Sequence, residues 1–236
     1  MGLLLMMSYP AWMDGSIQRK SSDIWKSTKE TLLNFWRSFR HPGVLRGILN
    51  VSSHGGYYRA VKDYLQPVMQ SLALSLPFFV SLDDERKSAL MIGLIYFIIH
   101  FLSSATTRRS GAFSGMFSSL STPLNITLIA GFAFGALSGL LYIFDLMILS
   151  VVFFILVYLV ENLRLPAGIS WFTDKLDTNI LATTLSVESQ GKSLFTAVLA
   201  LGMGLLADRF GPGIALLLIS LVMLVTIPLL RLRANK

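Results

Sequence analysis

The run Ser53-His54-Gly55-Gly56-Tyr57-Tyr58-Arg59-Ala60-Val61-Lys62-Asp63-Tyr64-Leu65-Gln66-Pro67 lies in the middle of an apolar segment, residues 44–77. Charged side chains are costly in hydrocarbon, so charges grouped inside a spanning helix usually face a protein interior or a water-filled path. On a helix, Arg59 and Asp63 are four apart and share a face that Gln66 continues, while His54, Tyr58 and Lys62 form a neighbouring stripe. An opposed Arg and Asp largely neutralise each other, and Tyr57, Tyr58 and Tyr64 offer hydroxyls and ring faces to a solute. The other reading is an interfacial patch whose arginine and lysine snorkel to the membrane surface. Apolar sequence on both sides favours the buried one.

Composition agrees with a membrane setting. Of 236 residues, 53 % are hydrophobic and only 14 % are charged, against roughly 25 % charged in soluble domains. The mean hydropathy is +0.64, and several uncharged runs approach the length that crosses about 30 Å of hydrocarbon. The expected fold is therefore all-α, a polytopic membrane protein of six transmembrane helices. With no cysteine, disulfides and thiolate metal sites are excluded. The net charge of +7 is spread between apolar segments, which points to the anionic surface of a lipid bilayer and not to nucleic acid.

The chain divides at residue 43. Residues 1–10 are apolar but too short to span, lack the basic region of a secretory signal, and read as the end of a helix. Residues 14–43 read as a basic membrane-surface linker, with Trp25, Leu32, Leu33, Phe35 and Trp36 among Lys26, Lys29, Arg37 and Arg40. The bundle then occupies 44–236. Its first span is expected to bend at Pro67, and Asp83-Asp84-Glu85-Arg86-Lys87 to form a polar turn. A second span covers 88–105 and carries His100, which is either a packing residue or a proton carrier. Residues 111–122 read as a loop or short reentrant helix. The third span, 124–143, has Gly131, Gly135 and Gly139 at four-residue spacing, which suits close helix approach or a solute-lining backbone.

Asp145 marks a tight turn into a fourth span that is interrupted by Glu161-Asn162-Leu163-Arg164-Leu165-Pro166. Glu161 and Arg164, three apart, either pair at the helix end or join the central path with Asn162. The stretch 171–177 reads as a polar loop. The fifth span begins near Thr183, with Glu188 and Lys192 spaced for an ion pair at its foot. A turn bearing Asp208 and Arg209 leads to a sixth span over 213–230. Six spans put both ends on one side. Of the 20 Lys and Arg residues, only Arg86, Lys87 and Arg209 fall on the opposite face and Arg59 and Lys62 within the membrane, so the termini are expected to be cytoplasmic.

In order, the basic linker, Tyr58-Arg59-Ala60-Val61-Lys62-Asp63-Tyr64-Leu65-Gln66-Pro67, Glu161-Asn162-Leu163-Arg164-Leu165-Pro166, Ala182-Thr183-Thr184-Leu185-Ser186-Val187-Glu188-Ser189-Gln190 and Gly204-Leu205-Leu206-Ala207-Asp208-Arg209-Phe210-Gly211 cover nearly the whole chain. This ordered set resembles the C-terminal six-helix half of a major facilitator superfamily transporter with its central cytoplasmic linker. The sequence departs from that family in two respects: in length, since residues 1–10 read as the end of a sixth helix without the bundle expected ahead of it, and in the family's signature loop. Gly204 to Gly211 reads like its signature loop but falls between the fifth and sixth spans, while Thr106-Thr107-Arg108-Arg109-Ser110-Gly111, at the usual position, has no acid.

The resemblance implies half of a secondary active solute transporter in the cell membrane, of the kind found in bacterial inner membranes. It implies alternating access completed by a second six-helix bundle, either an N-terminal half or another copy. Arg59, Lys62, Asp63 and Gln66, with Tyr58 and Tyr64, would line the partner-facing cavity. Arg59 or Lys62 would attract an anionic group on a small-molecule solute, Asp63 would exchange a proton or a salt bridge, and Glu161 is the secondary coupling candidate. Arg164, Glu188, Lys192, Asp208 and Arg209 are read as helix-end charges. The alternative is a non-transporting membrane subunit or a truncated transporter remnant. No cofactor or metal is expected, since His41, His54 and His100 lack ligand spacing, and without paired carboxylates at one depth no enzyme is expected either.

Overall fold

A computed structural model describes residues 42–75, 83–176 and 178–233, so the stretches read as a truncated helix end and surface linker lie outside the described residues apart from 42–43. Among the described residues seven helices follow one another: α1 Pro42–Lys62, α2 Leu65–Ser75, α3 Asp84–Gly115, α4 Ser121–Ile143, α5 Met147–Lys175, α6 Thr178–Phe210 and α7 Pro212–Leu230. Five of them, α3 to α7, are long and apolar enough to cross a membrane. The protein is thus an all-α, multi-pass helical bundle.

The first expected span is two helices. Pro67 has no N–H to offer the carbonyl four residues earlier, so the break falls ahead of it, at Asp63–Tyr64. There the Tyr64 N–H turns back to the Val61 carbonyl at 2.9 Å. Four other boundaries also differ. Helix α3 starts at Asp84, inside the expected polar turn, and runs on to Gly115, through the start of the expected loop. Helix α5 continues past Pro166 to Lys175, so 171–175 is helix and not loop. A proline removes one backbone bond, and packing of Ala167, Trp171 and Phe172 carries the helix past it. Helix α6 begins at Thr178, ahead of the expected start.

Two turns match their residues. Asp145 has φ 58°, a left-handed conformation that a short polar side chain tolerates, and closes the α4–α5 hairpin. Gly211 has φ 86° and is followed by Pro212 at the first turn of α7.

Helix α1 is enclosed. It packs most extensively on α6 and also touches α4, α5 and α7, while α4 packs on α5 and α7, and α3 on α2 and α5. Close approach depends on missing side chains. A Cβ on Gly131 would overlap His54 Nε2, one on Gly135 would overlap the Tyr57 hydroxyl, and one on Gly139 would meet the α7 backbone at Leu217 N and Gly213 O. The glycine stripe of α4 is therefore a packing seam for α1 and α7. Gly55 and Gly56 do the same for α6, facing Lys192 and Phe195. Helices α4 and α5 are joined by a reciprocal pair: each of Ser138 and Ser150 donates its hydroxyl to the other's carbonyl at 2.9 Å.

The outer faces of α3 and α7 carry exposed Leu94, Phe97, Phe101, Val222, Val225 and Leu229. Hydrocarbon solvates such surfaces, as expected of a bundle in lipid. Past α7 the chain hooks back. The Leu232 N–H donates to Asn125 Oδ1 at 2.8 Å and its carbonyl accepts from Asn125 Nδ2 at 2.8 Å. Leu232 is 2 % exposed. Asn125→Ala is expected to release this hook at a cost of about 1–3 kcal/mol for the orphaned backbone groups. Faster amide exchange at 230–233 would report it.

Candidate functional site

Five ionisable side chains, His54, Glu161, Arg164, Glu188 and Lys192, meet in the bundle interior, at the middle of α1, α5 and α6. His54 is fully buried, and its Nδ1 lies 2.7 Å from Glu161 Oε2. The ring stacks against Phe132 at 5.6 Å between centroids, and Nε2 has no hydrogen-bond partner among the described residues. Glu161 keeps 15 % of its side chain exposed, so the pair reaches the surface through Glu161 and not through the ring. On α6, Lys192 Nζ pairs with Glu188 at 2.9 Å, both nearly buried.

Arg164 lies one turn along α5 from Glu161 and is 2 % exposed. Its guanidinium donates to the Leu124 carbonyl, to Thr127 Oγ1 at 2.9 Å, and to both the carbonyl and Oδ1 of Asn50, at 3.1 and 2.8 Å. A planar fork of N–H donors suits such a multiple grip. The Asn50 amide then donates to the Leu230 carbonyl at 3.0 Å. One cation thereby ties α1, α4, α5 and α7 together. Arg164 is not a helix-end charge: it sits within α5, and no ion pair joins it to Glu161 among the described residues. Glu188 and Lys192 lie inside α6 and not at its foot.

Arg59, Asp63 and Gln66 form an exposed stripe where α1 meets α2. Arg59 and Asp63 are not paired with each other among the described residues. Lys62, Tyr58 and Tyr64 are half-buried beside them. Tyr58 packs edge-on against Tyr158 at 4.9 Å. Asp208 and Arg209 are exposed at the far end of α6, the Arg209 guanidinium 5.7 Å from the Phe210 ring centre. Asn162 donates to Ser103 of α3 at 3.2 Å. His100, on an exposed face of α3, has its ring 6.3 Å from that of Tyr96.

Sequence reasoning placed His54 only on a stripe with Tyr58 and Lys62 and did not join it to Glu161. The two are 107 residues apart, and no periodicity links different helices. Asn50 was also missed, though an Asn inside an apolar run is a signal that a buried partner exists. A separate cleft of about 600 Å³ opens where α3 and α5 end and α4 begins, lined by Ser114, Ser118, Ser121, Ser170, Trp171 and Lys175. None of the expected site residues borders it. Among the described residues no group of three or more metal-ligating side chains forms.

Compared with known families and curated proteins, the sequence matches no family model and no curated relative.

Proposed function

We propose that this bundle is one half of a secondary active solute transporter of the cell membrane, with a second helical bundle completing the solute path. The observation that carries the reading is the polar outer surface beside the buried charges. Arg59, Asp63 and Gln66 are exposed on a bundle whose outer faces on α3 and α7 carry large apolar side chains. Packed along α1, α6 exposes Ala182, Ser186, Ser189, Ser193, Ala197 and Ala200, which share one side at helical spacing. Charged side chains at membrane depth call for a protein or aqueous neighbour, and small residues let another helix approach closely. Helix α6 turns a second stripe, Leu194, Val198, Leu201 and Leu205, toward lipid. The solute would meet Arg59 and Lys62, which favours an anionic group, and Asp63 would exchange partners as the bundles rock.

The first test is the mass of the assembly extracted gently from its native membrane. A complex larger than the 26.1 kDa chain, containing a second helical bundle, is the expected result. A lone monomer in lipid overturns the reading in favour of a non-transporting subunit. In proteoliposomes holding the assembly, uptake from a panel of small organic anions is expected to fall about tenfold in Asp63→Asn, equivalent to roughly 1.4 kcal/mol. Unchanged uptake would remove Asp63 from the mechanism.

A further inference from the structure

We infer that the His54–Glu161 pair is a proton-binding site inside the bundle, taking up and releasing one proton between α1 and α5. Only what the proton drives depends on the transporter reading. The site itself stands on its contacts.

The His54 ring is held through one nitrogen. Nδ1 meets Glu161 at 2.7 Å, whereas Nε2 faces Gly131 with no partner among the described residues. Buried polar groups are normally satisfied, and the one bond this buried imidazole makes is to an ionisable carboxylate. The groups around the pair are the cations Arg164 of α5 and Lys192 of α6 and the acid Glu188 of α6. From α1 come Tyr57 and Tyr58. Helix α4 sets Gly131 and Phe132 against the ring, and Ser220 of α7 lies 2.6 Å from the hydroxyl of the neighbouring Tyr57.

With Glu161, Glu188, Arg164 and Lys192 ionised and His54 neutral, the cluster is balanced. One added proton raises it by a single positive charge, and one released restores balance. In the proton-free form neutral His54 carries its hydrogen on Nε2; uptake forms one bond, N–H at Nδ1 or O–H at Glu161 Oε2, which closes the hydrogen bond between these two atoms, and no other bond changes. Exchange with the outside passes through the partly exposed Glu161 side chain. A carboxylate and an imidazole sharing a proton between two helices also make their packing depend on whether that proton is present.

The test needs neither solute nor partner. In the His41→Gln/His100→Gln double variant, His54 is the sole histidine, so ¹⁵N-histidine labelling reports it without further assignment. The chain is placed in nanodiscs of phosphatidylethanolamine and phosphatidylglycerol and titrated from about pH 5 to about pH 9, the range where an imidazole ordinarily changes charge. A reversible shift of both ring nitrogens, displaced along the pH axis when Glu161→Gln is added, is the expected result. Resonances that stay fixed, or that move identically with and without Glu161, would overturn the inference. Solute uptake is measured separately. A titrating His54 without uptake removes the transporter reading and keeps the proton site, while uptake with a static His54 removes the proton site alone.

Discussion

Arg164→Met is expected to destabilise the bundle by about 3–5 kcal/mol, the loss typical of removing one partner from a buried charge cluster. Methionine fills much of the arginine stem's volume, so the loss comes from the head group. Asn50 Oδ1, Thr127 Oγ1 and two backbone carbonyls lose their donor, and Glu161 loses the positive charge that lies one helical turn away. Arg164→Lys keeps the charge but offers a point donor in place of a fork, so it restores only part of the stability. Unfolding of the purified chain in mixed micelles measures both. A Met variant with an unchanged midpoint would show that Arg164 is peripheral to the fold.

Gly139→Val is expected to cost about 3 kcal/mol, the upper part of the range for overpacking. The added Cβ would lie 2.6 Å from Leu217 N and 2.7 Å from Gly213 O, and backbone atoms of a packed helix cannot swing aside. Gly135 is a milder case, since its neighbours are the movable tips of Tyr57 and Ser220. Gly93 on α3 has nothing within 4 Å, so Gly93→Val serves as the control for helix propensity alone. Comparable midpoints for the two valine variants would mean that α4 and α7 do not need their close approach.

Much of the architecture was legible because the bilayer simplifies the code. Uncharged runs of adequate length located α4 and α7 closely, and Asp145 and Gly211 marked their turns by backbone chemistry. Charge and proline were misleading as boundary signals. Glu161, Arg164 and Pro166 looked like the end of a span, yet they lie in mid-helix because partners on α1 and α4 satisfy them. Pro67, read as a bend within one span, stands instead in the first turn of a new helix. The candidate site was legible on single helices only. Arg59, Asp63 and Gln66 share a face as their spacing requires, and Glu188 pairs with Lys192 four residues on. The meeting of His54 with Glu161 is a product of three-helix packing through Gly131, and no local pattern encodes it.

The grip on Arg164 bears on how the chain enters a membrane. An arginine at the centre of a spanning segment raises the free energy of insertion by about 2.5–3.5 kcal/mol, so α5 is the segment most in need of help as it leaves the ribosome. Its acceptors, on Asn50, Leu124 and Thr127, all precede it in the chain. They belong to α1 and α4, which are synthesised first. The arginine therefore meets a prepared receptor at the moment it partitions into lipid. The Asn50 amide and the Asn125 side chain, 3.4 Å apart, then gain further partners at Leu230 and Leu232, which emerge later. Translation order and hydrogen-bond order coincide, and the bundle can be built by sequential delivery without exposing its central cation to hydrocarbon unaccompanied.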